Sequence, residues 1–188
     1  MDRADSLSRD QAPLASHDAP DARDASGMTF DELYELHRLA VYRFLRAWGS
    51  SDEEAADLAA AVFERAYRAL LTPRPPDASR AWLMRVARNL AIDAARRRDA
   101  ASRGLRFWPR GELAPDPADV VIGDETDRLL ARRVAALPAA QREAIVLRYA
   151  GGLSAREIGQ VLGRTEGAAH KLVSRALMAL REAYRDDD

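Results

Sequence analysis

Residues 156–177 read REIGQVLGRTEGAAHKLVSRAL. The stretch is helical in composition, yet it carries Gly159, Gly163 and Gly167 at four-residue intervals. A glycine inside a helix costs roughly 1 kcal/mol against alanine. Three of them in one continuous helix make little sense, and two helices joined by a tight turn make more. Where two helices cross steeply, a small residue is needed at the crossing and a positive-φ residue at the turn. Gly159 suits the crossing, Gly163 the turn, and Ala169 the return packing from the second helix. Ser154 with Glu157 forms a capping box ahead of the first helix, and Thr165 caps the second. Gly167 then falls in the first turn of the second helix, where bare backbone could approach a phosphate. Glu166, His170, Lys171, Ser174 and Arg175 face away from the apolar stripe. Lysine and arginine donate to guanine edges and to phosphates. The pattern predicts a DNA-binding helix-turn-helix.

Working outward, the composition favours an all-α protein. Alanine, arginine and leucine dominate, aromatics make up 6%, and cysteine is absent from the 188 residues. That excludes a disulfide framework and a thiolate metal site. His17, His37 and His170 are widely separated in sequence. Neither a membrane span nor a signal-peptide core is evident. The expectation is a soluble cytoplasmic protein with no metal and no cofactor. No phosphate-cradling glycine loop follows a strand, and no Glu-x-x-His pair suggests a di-iron bundle. An enzyme is therefore not expected.

The net charge of -1 hides segregation. Arginines 80, 85, 88, 96, 97, 98, 103, 106 and 110 crowd one region with only Asp77, Asp93 and Asp99 against them. The next residues, 111–125, carry Glu112, Asp116, Asp119, Asp124 and Glu125 and no basic residue. Residues 126–185 are basic again. Basic helical stretches are electrostatic footprints for phosphate.

The periodicity gives two small helical domains joined by a flexible acidic linker. Residues 1–27 lack periodicity and are expected to be a disordered extension. Residues 28–98 carry three amphipathic helices. The first opens on the capping box Thr29–Glu32 and ends at Gly49. The second opens at Ser51, with Glu54 expected to reach back as a capping-box partner, and ends at Thr72–Pro76. The third is expected over about 77–98, with Trp82, Leu83, Val86, Leu90 and Ala94 as its apolar face. Residues 99–124 hold prolines and the acidic cluster and form the linker, with Leu105, Phe107 and Trp108 as an apolar patch. Residues 125–185 hold a short helix stopped at Pro138, a second ending at Gly151–Gly152, and the helix-turn-helix.

These motifs resemble those of the extracytoplasmic-function sigma factors of bacterial RNA polymerase over about residues 28–185. SRAWLMRVARNLAIDAARRR (79–98) is similar to the third helix of that family's domain two, and LPAAQREAIVLRYAGGLSAREIGQVLG (137–163) to its domain four. The resemblance implies a promoter-recognition factor that binds core RNA polymerase through its clamp coiled coil and flap. Domain two would open the minus-ten element and hold the non-template strand, and domain four would read the minus-thirty-five element as duplex. It implies core-polymerase contacts at Asp57, Leu58, Phe63 and Glu64. It places minus-ten contacts at Arg85, Arg88, Asn89, Asp93, Arg96 and Arg97, with Trp82 read as core. It places minus-thirty-five contacts at Glu166, Gly167, His170, Lys171, Ser174 and Arg175. An anti-sigma protein is a further implied partner.

Two departures stand out. The family's polar residues on the clamp-facing helix are replaced by Ala56, Ala60 and Ala61. The family's G-T-V-K-S-R at the recognition helix reads Gly167-Ala168-Ala169-His170-Lys171-Leu172, so a distinct promoter preference is expected. The alternative is a helix-turn-helix regulator that does not bind polymerase. That reading leaves WLMRVARN and the arginine run without a purpose.

Overall fold

The structure, a computed structural model, describes residues 22–103 and 125–185. These residues form seven helices: α1 (Phe30–Ala47), α2 (Asp52–Leu70), α3 (Arg80–Arg103), α4 (Glu125–Ala136), α5 (Ala139–Tyr149), α6 (Ala155–Leu162) and α7 (Glu166–Arg185). The only β pairing among them is one isolated bridge between Arg23 and Thr29. Among the described residues no helix is long and apolar enough to cross a membrane. The acidic cluster at 112–124 and the apolar patch Leu105, Phe107 and Trp108 lie outside the described residues, as do 1–21 and 186–188.

Helices α1, α2 and α3 pack against one another in the first domain. Each presents a stripe of buried side chains at helical spacing: Leu33, His37, Val41 and Phe44 from α1, Leu58, Val62, Phe63 and Ala66 from α2, and Leu83, Met84, Ala87, Leu90, Ala91 and Ala94 from α3. Four aromatics close one end. Phe30 meets Tyr67 edge-on at 5.2 Å and Tyr34 meets Phe63 edge-on at 4.8 Å, geometries that ring quadrupoles favour.

The turn between α1 and α2 is built around Arg46, which is buried. Its guanidinium donates to the Ser50 carbonyl and pairs with Asp52 at 2.7 Å, while the Tyr42 hydroxyl donates to the same carboxylate at 2.8 Å. A buried cation needs such partners to offset its lost hydration.

Three local expectations need correction. Ser51 does cap α2, accepting from the Glu54 amide at 3.2 Å, but Glu54 does not reach back. Its carboxylate instead forms an ion pair with Arg98 of α3, so a tertiary partner outcompetes the local one. Helix α3 runs Arg80–Arg103, later at both ends than expected. Residues 77–79 stay outside the helix, and Ala100 and Ala101, strong helix formers, carry it past the arginine run that ends at Arg98. Residues 22–27, expected to be disordered, form an ordered turn. Asp24 is buried and accepts from the Ser26 amide at 2.8 Å, the Ser26 hydroxyl at 2.6 Å and the Met28 amide at 2.9 Å. Burial alone would raise the Asp24 pKa, but these hydrogen bonds overcome it and the carboxyl is held below its usual range.

In the second domain α7 packs across α5 and α6, and α4 lies against α7. The core holds Ala144, Ile145, Val146, Leu147, Leu153, Ile158, Val161, Ala169, Ala176 and Leu180. Arg133 of α4 sits 3.6 Å from the centroid of the Tyr184 ring, a cation–π contact tying α4 to the end of α7.

His37 gives a pH-dependent test of this packing. Its side chain is buried and Nδ1 has no hydrogen-bond partner among the described residues. Burial, helped by the charge of Arg80, lowers its pKa below the usual 6.5. The folded chain therefore binds this proton less readily than the unfolded chain. Its stability should be complete above pH 6.5 and fall as pH drops from there through the lowered pKa. Urea titrations between pH 7.5 and 5.5 should show that decline in the wild type and a flatter profile in His37→Leu. An equal decline in both would locate the sensitivity elsewhere.

Candidate nucleic-acid interface

The second domain builds its site on one close backbone approach. Gly163 ends α6 with φ 65° and ψ 37°, the left-handed conformation that its missing side chain permits. The chain then doubles back over Gly159. A Cβ on Gly159 would lie 2.7 Å from the Arg164 carbonyl oxygen and 3.3 Å from the Glu166 amide nitrogen. The crossing therefore needs glycine. The Thr165 hydroxyl accepts from the Ala168 amide at 3.2 Å and starts α7. Before α6, Ser154 and Glu157 form the expected capping box. Hydrogen bonds from the Ser154 backbone and hydroxyl hold the Glu157 carboxyl below its usual range, and the charge of Arg80 adds to this.

Ala169 and Ala176 bury one side of α7, with Leu172 and Val173 packed beside them. The opposite side presents Gly167, His170, Lys171 and Arg175, all exposed, with Ser174 half-buried among them and Glu166 at the helix start. The spacing puts them in one stripe. All six expected minus-thirty-five residues thus share one end or face of α7. A Cβ on Gly167 would meet nothing within 4 Å, so packing inside the chain does not explain that glycine. The sequence reading gave Thr165 only as a cap and did not single out Arg164; both are exposed in the turn beside this face. An arginine directly before a helix cap was the signal available.

In the first domain, Arg85, Asn89, Asp93, Arg96 and Arg97 are exposed along α3 and Arg88 is half-buried. Trp82 is half-buried and packs on the core. The Arg97 Nε donates to the Asp93 carbonyl at 3.3 Å. Two of these arginines meet the second domain. Arg88 donates through Nε and Nη2 to one Glu143 carboxylate oxygen of α5, at 3.1 and 2.8 Å. Arg85 donates to the Gln160 carbonyl of α6 at 3.0 Å.

The residues expected to meet the polymerase divide. Asp57 and Glu64 are exposed, and Glu64 pairs with Arg68 at 2.6 Å. Leu58 and Phe63 are 7% and 4% exposed, inside the core of the first domain. Expecting them as surface contacts is corrected: they hold α2 from beneath. The solvent face of α2 includes Glu53, Ala56, Asp57, Ala60 and Glu64, with Arg65 and Arg68 also exposed. Two of the substituted alanines, Ala56 and Ala60, are therefore on the surface and Ala61 is partly covered. No group of three or more histidine or carboxylate side chains able to hold a metal occurs among the described residues.

A helix-turn-helix with a basic outward face and a three-helix bundle with its own arginine row give an all-α fold of two domains suited to nucleic acid. Residues 33–101 match the Sigma-70 region 2 family and residues 127–180 the Sigma-70, region 4 family. The chain is 32% identical to the ECF RNA polymerase sigma factor BldN of Streptomyces coelicolor, aligning over 84% of its own length and 61% of the relative's. It is 32% identical to the ECF RNA polymerase sigma factor RpoE of Cereibacter sphaeroides, over 86% of this chain and 88% of that one. In fold it resembles the sigma factor RpoE of Bartonella quintana, solved with the anti-sigma factor NepR, with a TM-score of 0.62 at 24% identity over 85% of this chain and 98% of that one. The chain belongs to the extracytoplasmic-function (ECF) family of RNA polymerase sigma factors. Matches to both regions set aside the reading as a regulator that never meets polymerase.

The three glycines should separate by substitution. Gly159→Ala, with backbone in its way, should cost about 1–3 kcal/mol as overpacking does. Gly163→Ala should cost roughly 1–2 kcal/mol for its left-handed conformation. Gly167→Ala should be neutral or stabilise by up to about 1 kcal/mol, while weakening duplex binding. Thermal unfolding checks the order, and an ordinary loss of stability at Gly167 would remove its assignment to DNA.

Proposed function

We propose that this chain directs core RNA polymerase to promoters through two surfaces, α3 for the unwound minus-ten strand and α7 for the minus-thirty-five duplex. The observation that carries the reading is the outward stripe of α7, where Gly167, His170, Lys171, Ser174 and Arg175 lie opposite the buried Ala169 and Ala176. A helix presented in this way fits the major groove, where base edges carry a distinct donor and acceptor pattern. Arg164 and Thr165 in the adjoining turn are suited to phosphate contacts that fix the register.

The row Arg85, Arg88, Asn89, Asp93, Arg96 and Arg97 takes the non-template strand. Single-stranded nucleic acid is held by a basic groove tracking its backbone, and the arginines supply that groove. Asn89 and Asp93 add hydrogen-bonding groups between them, Asp93 as an acceptor for base amino groups.

The polymerase clamp meets the solvent face of α2, with Asp57 and Glu64 supplying charge. Ala56 and Ala60 present little side chain there, so a partner helix approaches more closely than it would over longer polar residues. An anti-sigma protein is a further partner in this reading. Leu36 and Leu39 on α1 and Met178 on α7 are exposed apolar side chains available to it.

Promoter-specific run-off transcription with reconstituted holoenzyme tests the whole reading, and failure to co-purify with core polymerase would overturn it. Lys171→Ala or Arg175→Ala should each cost about 1–3 kcal/mol where the side chain reads a base edge, and the loss should depend on sequence. A loss equal on all sequences, with a shallower salt dependence, would assign that side chain to phosphate instead.

A further inference from the structure

Residues 22–30 fold back on themselves ahead of α1. The Asp24 amide donates to the Met28 carbonyl at 2.9 Å and the Phe30 amide to the Ala22 carbonyl at 2.9 Å. The reversal is closed by the Gly27 amide on the Asp24 carbonyl at 3.0 Å. Asp24 is buried, and its Oδ1 accepts from Ser26 and Met28 as described above. Two further hydrogen bonds leave this hairpin for the turn between α2 and α3. The Ala25 amide donates to the Pro76 carbonyl at 3.1 Å, and the Ala78 amide donates to the Asp24 carboxylate. Ala78 is itself buried. At the other end of the hairpin, Phe30 packs edge-on against Tyr67, in the last turn of α2. One short segment therefore meets the start of α1, the end of α2 and the approach to α3.

We propose that this hairpin braces the α2–α3 turn and the start of α3, and that Asp24 is a positioning residue for strand capture by α3. The turn needs an outside tie. Residues 71–79 lie outside both helices, and Pro73, Pro75 and Pro76 have no amide hydrogen to donate. The Glu54–Arg98 ion pair joins the later part of α3 to α2, and the hairpin holds its beginning. A continuous helix fixed near both ends carries Arg85, Asn89 and Arg96 in a set direction. Single-stranded nucleic acid is held by side chains that track successive phosphates. Ordering them during folding removes that cost from the binding step. The hairpin lies ahead of residue 33, where the match to Sigma-70 region 2 begins, so the brace comes from outside the matched region. The positioning role rests on the assignment of α3 to the strand made above; the brace itself does not.

The test has two arms, both on the full chain. Amide hydrogen exchange on the free protein reads the brace without DNA. Asp24→Ala should speed exchange in peptides covering residues 77–84 about tenfold, as expected when a charged hydrogen bond is lost, and leave α5, α6 and α7 unchanged. Unchanged exchange at 77–84 overturns the brace. Equal loosening throughout α1, α2 and α3 makes Asp24 a general stabiliser and overturns it as well. In the second arm, holoenzyme is reconstituted with core polymerase on a promoter taken from mapped start sites. Abortive initiation at varied holoenzyme concentration separates initial duplex binding from the rate of strand opening. Asp24→Ala should slow opening about tenfold, as when a tenth of the molecules hold the competent arrangement, with initial binding and core affinity unchanged. Asp24→Asn, which keeps an accepting oxygen, should open faster than Asp24→Ala. Faster exchange with a normal opening rate overturns the positioning role. A smaller active fraction with a normal opening rate is a loss of folded protein and overturns it too. Failure of the wild-type holoenzyme to open any such promoter overturns the assignment of α3 to the strand and the positioning role with it, while the exchange arm still decides the brace.

Discussion

The second domain depends on the close passage of the Arg164–Glu166 backbone over Gly159. No side chain fits between them, so α6 and α7 are locked at a fixed angle by backbone contact. Backbone does not yield as a long side chain does, and packed interiors accommodate little distortion. That angle sends the Ala169–Ala176 face inward and the Lys171–Arg175 face outward. Gly163 and Thr165 supply the turn and the cap that let the chain reach the crossing. The exposed basic surface of α7 is thus a consequence of a steric limit at one residue.

The first domain solves a different problem. Its helices carry many alanines, which pack closely but remove little apolar surface each. The larger contributions come from Phe44, Leu33, Leu45, Leu83 and Met84, all fully buried, and from the aromatic group at Phe30, Tyr34, Phe63 and Tyr67. Polar ties fix the ends. Arg46, Ser50, Asp52 and Tyr42 hold the α1–α2 turn, and Glu54 with Arg98 joins the start of α2 to α3. With α3 held at its base, its arginines point outward in a defined row.

The two basic faces have different fates in the folded chain. On α7 the basic side chains remain exposed. On α3 two of the arginines contact α5 and α6. Arginine suits both settings because its planar, weakly hydrated guanidinium makes paired bonds to a carboxylate or a phosphate alike. The same choice of residue that suits single-strand capture also makes α3 adhesive to an acidic neighbour. On α2, Ala56 and Ala60 leave a smooth surface between Glu53, Asp57 and Glu64.

Much was legible from local chemistry. Both reciprocal capping boxes, the caps at Ser51 and Thr165, the left-handed Gly163 and the crossing at Gly159 follow from short spacings, because they are formed by residues within a few positions of one another. The outward face of α7 was legible for the same reason: helical periodicity separates its two sides. One error arose where a distant partner decided the outcome. Glu54 chose Arg98 over its own helix cap. Leu58 and Phe63 were matched to a functional motif although helical spacing already puts them on the apolar side of α2, where they are buried. Asp24 gathers a turn from Ser26 and Met28, a local motif that helical periodicity does not detect. Nothing in the order of residues marks Glu143 as the partner of Arg88, 55 positions away. The sequence by itself determined the helices, their caps and the family of the chain. Only the tertiary structure decided which charges meet, since Coulombic and hydrogen-bond partners act over a few ångströms of space and are indifferent to distance along the chain.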